Sequence, residues 1–219
     1  QGYPVTLVER SAKLGGQALN LHRTTRGEDV QEKIAELAGA LETDENVDIR
    51  LDTELTRVNG FVGNFQSALA SGGNEETLEH GVAVIATGAT ELRPTEYLYG
   101  EHPAVLTHQE LDLRFMDEDP SLEKTQSAVF IQCVGSREPQ RPYCSRVCCT
   151  HSVTSALRLK EKNPDARVTI LYRDMRTYGE REILYKQARE AGVIFIRYDP
   201  ERKPQVRANG DNVTVDVYD

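Results

Sequence analysis

The sequence has few features of membrane, secreted or nucleic-acid-binding proteins. It contains no run of about 18 apolar residues, which excludes a transmembrane helix and predicts no direct membrane insertion. Lysine and arginine total 26 against 35 aspartate and glutamate residues, for a net charge of −9. This balance predicts no nucleic-acid partner, because general attraction to phosphate requires excess positive charge. No signal peptide is visible, and we expect a cytoplasmic protein.

The composition is that of a chain able to fold. Of its 219 residues, 38% are apolar and 28% charged, enough to build a core and keep the surface hydrated. The length predicts one large domain or two small ones. The chain opens without methionine at Gln1 and closes on the strand-like alternation of residues 213–219. We therefore expect a fragment, truncated at both ends.

The first half of the chain predicts part of a parallel sheet interrupted by hairpins. Residues 5–9 are an apolar run that ends in an acid, typical of a buried parallel strand. Apolar residues recur at helical spacing over 28–43. Alternation over 47–79, with a turn signal at Asn59-Gly60, predicts an antiparallel β-meander. The apolar run 82–86 predicts a second buried strand.

Strands and helices alternate in the second half. Between 90 and 126 the pattern is weak and indicates a connection. After it, strands are predicted at 127–133, 168–172 and 193–198, and helices at 145–162 and 180–191. Such alternation indicates a parallel sheet. The predicted fold class is therefore α/β, with two Rossmann-like parallel-sheet units, the first carrying the antiparallel meander.

The first candidate site combines an acidic strand end with glycines. Glu9 ends the first strand, where dinucleotide-binding folds place a carboxylate against ribose hydroxyls. Gly15 and Gly16 follow, and glycine lets the backbone approach a ring or a pyrophosphate closely. The segment Thr87-Gly88-Ala89 after the second apolar run provides another such approach. Together these features favour a nucleotide site, although tight turns would explain the same glycines.

The second candidate site contains every cysteine of the chain. Cys133, Cys144, Cys148 and Cys149 lie in the segment CVGSREPQRPYCSRVCC. An extracellular disulfide framework is a poor explanation, because bridges inside so short a segment connect nothing distant. Four thiols at a strand end and a helix start favour a thiolate site for zinc or an iron–sulfur cluster. A redox dithiol pair and inert core cysteines remain as alternatives.

The first site resembles the FAD domain of the pyridine nucleotide-disulfide oxidoreductase superfamily. The resemblance rests on Glu9, on Leu14-Gly15-Gly16, on the meander and on VIATGA at residues 84–89. It implies that Glu9 binds the adenosine ribose of FAD and that Arg10 beside it also contributes to cofactor binding. It also implies that Gly15, Gly16 and Gln17 approach the flavin side, and that Thr87, Gly88 and Ala89 close over the cofactor. The glycine-rich turn of that family is absent here, so we expect weak FAD binding.

A more specific resemblance covers nearly the whole chain. The segment IQCVGSREPQRPYCSRVCCTHSVTSALRLKEKNPDARVTILYRDMRTYG (131–179) resembles the A subunits of heterodisulfide reductase, as do VNGFVGNF (58–65) and TEYLYGEHPAVLTHQEL (95–111). It implies a flavoprotein that transfers electrons between FAD and iron–sulfur centres of a multi-subunit electron-transfer complex. It further implies that the four cysteines are the ligands of a four-iron four-sulfur cluster.

This resemblance organises the chain into domains. We assign residues 1–110 to a partial FAD-binding domain, 111–126 to a connection, and 127–219 to a second Rossmann-like, NAD(P)-domain-like unit with the cysteine motif. The second unit lacks the glycine-rich phosphate turn, so a nicotinamide site there is not expected. No acid–base catalytic residue is expected either, because the cofactors carry the chemistry.

Two other interpretations remain open. One is a pyridine nucleotide-dependent disulfide reductase that uses Cys148 or Cys149 as redox thiols. The other is an interaction domain held together by structural zinc. Arg173 and Asp174, which end a strand, are predicted to lie in a solvated loop. His151 is predicted to be a hydrogen-bonded or surface histidine.

Overall fold

The computed structural model describes residues 2–218, which divide into two compact units. The first unit contains the chain up to Leu21 and residues 28–90. The second unit contains residues 22–27 and continues from Glu91. The domain assignment with boundaries at 110 and 126 stays a prediction.

The first unit begins with the expected parallel strand. Strand β1 (Val5–Val8) pairs in parallel with β2 (Val47–Arg50). Helix α1 (Val30–Glu42) connects them, and the Asp29 carboxylate caps it by accepting from the Glu32 backbone N–H at 3.0 Å. The helix prediction for 28–43 is confirmed within two residues at its start. Strand β2, however, belongs to the parallel pair and not to the meander.

The meander consists of three antiparallel strands in sequential order. They are β3 (Glu54–Phe61), β4 (Asn64–Ser71) and β5 (Asn74–His80). The turn predicted at Asn59-Gly60 is wrong, because Phe61 pairs with Asn64 and the loop is Val62-Gly63. Gly60 lies inside β3, where an added Cβ would overlap the Asn64 carbonyl oxygen. Glycine is required there for a close backbone approach rather than for a turn.

The second buried strand predicted at 82–86 is absent from the structure. Residues 82–90 are irregular and exposed, and Val84 and Ile85 are 88% and 86% exposed. An apolar run forms a strand only when another strand provides hydrogen-bonding partners. No strand among residues 2–218 pairs with this run. The prediction rested on apolar composition, and composition does not provide a partner.

The second unit contains a three-stranded parallel sheet, as predicted. Its order is β6 (Ser127–Ile131), β7 (Arg167–Tyr172) and β8 (Ile194–Arg197). One helix between β6 and β7 and another between β7 and β8 are the crossovers of this sheet. A separate antiparallel hairpin follows, made of β9 (Gln205–Asn209) and β10 (Asn212–Asp216). The α/β class is confirmed.

Helices cover the segment that the sequence predicted as an irregular connection. Helix α2 (His108–Met116) starts with a capping box between Thr107 and Glu110, and a short helix α3 (Ser121–Lys124) follows. Phe115 of α2 and Leu122 of α3 are 4% exposed and belong to the core of the second unit. The weak periodicity of these short helices explains why the sequence did not reveal them.

The core of the second unit lies between the sheet and its crossover helices. Helix α4 (Cys148–Lys162) and helix α5 (Glu182–Glu190) contribute Val153, Ala156 and Ala188, all fully buried. Val168 and Ile170 of β7 are also fully buried, as expected for the central strand of a parallel sheet. Within the described chain, every helix is too short or too polar to span a bilayer.

Candidate functional site

Glu9 lies at the carboxyl end of the first parallel strand. It directly follows β1, and its backbone N–H donates to the Arg50 carbonyl at 2.9 Å, which fixes the end of the parallel pair. One carboxylate oxygen accepts from the Ser11 N–H at 2.7 Å, and the residue is half-buried. Arg10 beside it is exposed. A carboxylate is thus available at the carboxyl end of a parallel strand.

The glycine pair shapes the loop that follows. Gly15 has φ +118°, and an added Cβ would lie 2.9 Å from Leu19 Cδ2 and 3.0 Å from Ile34 Cγ2. Only glycine combines this conformation with so close an approach to α1. Gly16 has φ +49° and starts a 3-10 helix that contains Gln17. An open, largely apolar cleft of about 520 Å³ is lined by Leu14, Leu19 and residues of α1.

The third part of the predicted FAD site is not assembled. Thr87, Gly88 and Ala89 lie in the exposed irregular segment. Gly88 has φ +64°, and a Cβ added there would meet no atom within 4 Å. The carboxylate and the glycine pair therefore have well-defined surroundings, whereas the segment predicted to close over the cofactor has none.

The cysteines lie at the carboxyl edge of the parallel sheet of the second unit. Cys133 comes two residues after the end of β6 and is buried, with φ +63°. Cys148 and Cys149 form the first turn of α4, which begins three residues later than predicted. Cys144 lies in the loop between them and is partly exposed. All four thiols are free.

Three of the four sulfurs interact. A hydrogen bond from the Cys149 thiol lowers the pKa of Cys148 to about 6 and raises that of Cys149. Burial raises the pKa of Cys133, and the negative charge of Cys148 raises it further. The Cys144 sulfur instead accepts the Arg146 backbone N–H at 3.3 Å. No three His, Cys, Asp or Glu side chains of residues 2–218 are arranged to hold a metal ion. The four-cysteine ligand set therefore stays a prediction.

Arg173 holds the cysteine loop against the sheet. Its side chain is 7% exposed, directly after β7, and not in a solvated loop as the sequence indicated. The guanidinium donates to the Arg137 carbonyl at 2.9 Å, to the Glu138 carboxylate, and to the Tyr198 hydroxyl at 3.3 Å. The Tyr198 hydroxyl in turn donates to the Gln132 carbonyl at 2.7 Å. Residues at the ends of all three strands thus fix the backbone on both sides of Cys133.

Asp174 links the loop to the cysteines of α4. Its carboxylate accepts from Arg137 at 2.6 Å and from Arg197 at 3.4 Å. Its carbonyl accepts from the Cys149 thiol at 3.7 Å. Arg137 reaches within 4.0 Å of the Cys133 sulfur and places a positive charge beside it. Sequence reasoning missed the roles of Asp174 and Tyr198, although their position after strands of a parallel sheet was a usable signal.

A buried polar network also fixes helix α4 by connecting it to helix α2. Asp112 of α2 is 1% exposed, and His151 donates to it at 3.1 Å while Arg158 lies 3.5 Å from it. Burial raises the pKa of Asp112, but the hydrogen bond from His151 and the nearby charges lower it further, below its ordinary value. His108 contacts the Ser152 hydroxyl at 3.0 Å. The prediction of a hydrogen-bonded His151 agrees with this network, which anchors the helix that carries Cys148 and Cys149.

Gly135 allows the cysteine loop to pack, and its replacement is a direct test. It has φ +62°, and an added Cβ would overlap Leu92 Cδ2. We expect Gly135→Ala to lower the free energy of unfolding by about 2 kcal/mol, since backbone strain and overpacking both contribute. Urea unfolding measures this change.

Gly179→Ala is the matched control for this replacement. Gly179 has φ +69°, and an added Cβ would meet no atom within 4 Å. Its replacement should therefore cost only the conformational strain, about 1 kcal/mol. Adding Leu92→Ala to Gly135→Ala should relieve the overlap, and equal costs at both glycines would contradict the packing argument.

Comparison with known proteins supports both the resemblance and the fold class. The chain matches no protein-family profile. It is 39% identical over 142 residues to the A subunit of the H2:CoB–CoM heterodisulfide,ferredoxin reductase of Methanothermobacter thermautotrophicus, covering 58% of this chain and 22% of that protein. It is 35% identical over 168 residues to the A subunit of the H2/formate:CoB–CoM heterodisulfide,ferredoxin reductase of Methanococcus maripaludis, covering 66% of this chain and 24% of that protein. The resemblance to these subunits is confirmed.

A third relative is named as an iron–sulfur subunit. The chain is 33% identical over 162 residues to the second of the A-type iron–sulfur subunits of CoB–CoM heterodisulfide reductase in Methanopyrus kandleri, covering 64% of this chain and 25% of that protein. The chain thus spans about a quarter or less of the length of the curated relatives that it matches.

Solved structures share the fold at low sequence identity. A mutant of the HOCl-induced flavoprotein disulfide reductase RclA of Escherichia coli superposes with a TM-score of 0.55 at 14% identity, covering 99% of this chain and 48% of that chain. The bacillithiol disulfide reductase Bdr of Bacillus cereus superposes with a TM-score of 0.52 at 15% identity, covering all of this chain and 68% of that chain. These structures confirm the expected Rossmann-type α/β fold.

Proposed function

We propose that this chain is part of an oxidoreductase subunit that transfers electrons between FAD and a four-iron four-sulfur cluster, and from there to a partner subunit. Its curated relatives are named as reductase subunits, which supports the oxidoreductase role. The observation that carries the proposal is the position of Cys133 just after β6 and of Cys148 and Cys149 in the first turn of α4, which places three free thiols at the carboxyl edge of a parallel sheet. Ligand sites of α/β sheets lie at that edge.

The donor chemistry of the loop fits an iron–sulfur cluster. Clusters of four irons and four sulfides are held by four cysteine thiolates. Four free thiols, one of them already favouring the thiolate, meet that requirement.

The surrounding residues provide what such a cluster needs from the protein. A bound cluster supplies reversible one-electron oxidation and reduction. Arg137 places a positive charge beside Cys133, and the Arg146 N–H donates to the Cys144 sulfur. Hydrogen bonds and charges of this kind tune the reduction potential and lower the cost of burying a negative group. Arg173 positions the loop, and the hydrogen-bond acceptors of its guanidinium are oxygen atoms of Arg137, Glu138 and Tyr198.

The proposed FAD residues fit their cofactor in part. The half-buried Glu9 carboxylate, beside Arg10, is available to ribose hydroxyls. Gly15, Gly16 and Gln17 form a loop whose shape only glycine permits. The exposed segment 87–89 would have to fold onto the cofactor, and this need for ordering would weaken binding further.

Anaerobic purification followed by metal and sulfide analysis tests the proposal. We expect about four iron atoms and four acid-labile sulfides per chain, with broad visible absorption that bleaches on reduction. One zinc per chain and no colour would contradict the proposal and support the structural zinc domain. Metal-free protein with two thiols that cycle with a disulfide would instead support the disulfide reductase, which the thiol–thiolate pair Cys149–Cys148 favours.

A further inference from the structure

Backbone strain is concentrated around the cysteine loop, residues 133–147. Among the described residues, seven residues other than glycine have a left-handed φ. Five of them belong to this loop or to one neighbouring segment, and these are Tyr97, Leu98, Cys133, Arg137 and Arg146. A left-handed φ brings Cβ close to the following carbonyl oxygen and persists only where the surroundings impose it. Strained residues of this kind cluster at ligand-binding sites.

The neighbouring segment, residues 91–99, packs against the cysteine loop, and we call it the cover loop. The Leu92 side chain lies so close to Gly135 that a Cβ added to this glycine would overlap Leu92 Cδ2. Gly135 follows Cys133 by two residues, and Cys133 is buried. Leu92 is itself only partly exposed. A leucine side chain thus lies against the backbone that follows Cys133.

Tyr97 brings the cover loop to the residues that fix the backbone around Cys133. It is half-buried, and burial is the largest of the causes that raise the pKa of its hydroxyl to about 12. The Tyr198 hydroxyl and the Glu138 carboxylate raise this pKa too, whereas the Arg173 guanidinium lowers it. The effect of a charge falls off with distance, so these three groups lie near Tyr97. Tyr97 is therefore beside the hydrogen-bond network that holds the cysteine loop.

Helix α2 holds the cover loop in one conformation. The Arg93 guanidinium donates to a Glu110 carboxylate oxygen at 2.6 Å, and the Tyr99 hydroxyl donates to the same oxygen at 2.9 Å. Residues on both sides of the strained pair thus meet at one carboxylate. The Leu98 carbonyl accepts from two backbone N–H groups that follow it, both at 3.0 Å. These contacts impose the left-handed conformation on two adjacent residues and fix the side chains that face the cysteine loop.

We propose that Leu92 and Tyr97 of the cover loop shield the Cys133 sulfur from water and thereby lower the reduction potential of a cluster held there. The inference rests on the proposed function, because it names what sets the potential of that site. A cluster with four thiolate ligands is negatively charged. Its reduction adds one electron, supplied in the proposed function by the reduced flavin, and therefore one more negative charge. Exclusion of water disfavours the more highly charged form, so a shielded cluster is harder to reduce.

The rate of Cys133 alkylation by iodoacetamide, in the full chain without a cluster, measures this shielding. The tryptic peptide 125–137 contains Cys133 and no other cysteine, so mass spectrometry reports on this thiol alone. Leu92→Ala and Tyr97→Ala should each raise the rate about tenfold, since both open a path to a buried thiol. Cys144 is partly exposed already, and its rate should change less than about twofold.

Two control variants separate shielding from a general loosening of the unit. Leu113→Ala makes the same truncation on α2, at a residue that is 38% exposed, and should keep the slow alkylation of Cys133. Tyr97→Phe keeps the aromatic ring and removes only the hydroxyl, so it should also keep the slow rate. Equal acceleration by Leu113→Ala would overturn the proposal, and so would equal acceleration by Tyr97→Phe, because the ring is the part that excludes water.

A redox titration of the iron-loaded chain tests the effect on the potential. At a fixed potential, Leu92→Ala and Tyr97→Ala should raise the ratio of reduced to oxidised cluster about tenfold, which equals about 59 mV for one electron. Faster alkylation with an unchanged ratio would overturn the proposal, and so would unchanged alkylation rates, with or without iron. A chain that binds no iron would refute the proposed function, while its alkylation rates still decide the shielding.

Discussion

Arg173→Ala should lower the free energy of unfolding of the second unit by about 3 kcal/mol, a large effect for a residue with no predicted role. Removing one partner of a buried ion pair costs about 3 to 5 kcal/mol when the other charge is left uncompensated. The Glu138 side chain is 26% exposed and keeps its ion pair with Lys203, which holds the cost at the lower end of that range. The Tyr198 hydroxyl and the Arg137 carbonyl also lose a donor. Urea unfolding followed by circular dichroism gives the change.

Two further variants make this result specific. Arg207→Ala removes an arginine that is 65% exposed and paired with Asp216, so it should cost less than about 0.5 kcal/mol. Arg173→Lys keeps the charge but not the planar fork, and it should recover only part of the loss. If Arg173→Ala costs no more than Arg207→Ala, Arg173 does not hold the loop.

Cys148→Ser should remove most of the iron and acid-labile sulfide from the anaerobically purified chain. Cys148 is the thiol that most favours the charged form, with a pKa of about 6, and it interacts with both Cys133 and Cys149. A serine hydroxyl is not ionised near neutral pH and is a poor ligand for iron–sulfur clusters. We expect a loss of at least about tenfold in bound iron, since even changes next to metal ligands cost that much.

The same helix offers a matched control for the cysteine variant. Ser155 lies two turns further along α4, fully buried, and its hydroxyl has no hydrogen-bond partner among the described residues. Ser155→Ala should therefore keep both the cluster and the stability. Cys144→Ser should lose the cluster as Cys148→Ser does. Retention of iron in Cys144→Ser would show that another group completes the ligand set.

The pattern of apolar residues was sufficient to locate a helix with several apolar turns and strands that pair with a neighbouring strand. Helix α1 and strands β6, β7 and β8 lie close to their predicted positions, because long apolar periods and runs specify elements of this kind. The run at 82–86 failed, since a strand requires a paired neighbour and none of the described strands provides one. Asn59-Gly60 failed because the register of β3 with β4 places the turn elsewhere.

The sequence by itself determined that Cys133 follows a strand and that Cys148 and Cys149 lie at a helix start, and that Glu9 follows a parallel strand before a glycine pair. These are local facts, set by spacing within about twenty residues. Only the tertiary structure decided that Arg173 is buried, that Tyr198 holds the residue before Cys133, and that Cys144 stands apart from the other sulfurs. The contacts of Tyr198 join residues 25 to 66 positions apart, and no local pattern encodes which side chains meet when strands align in parallel.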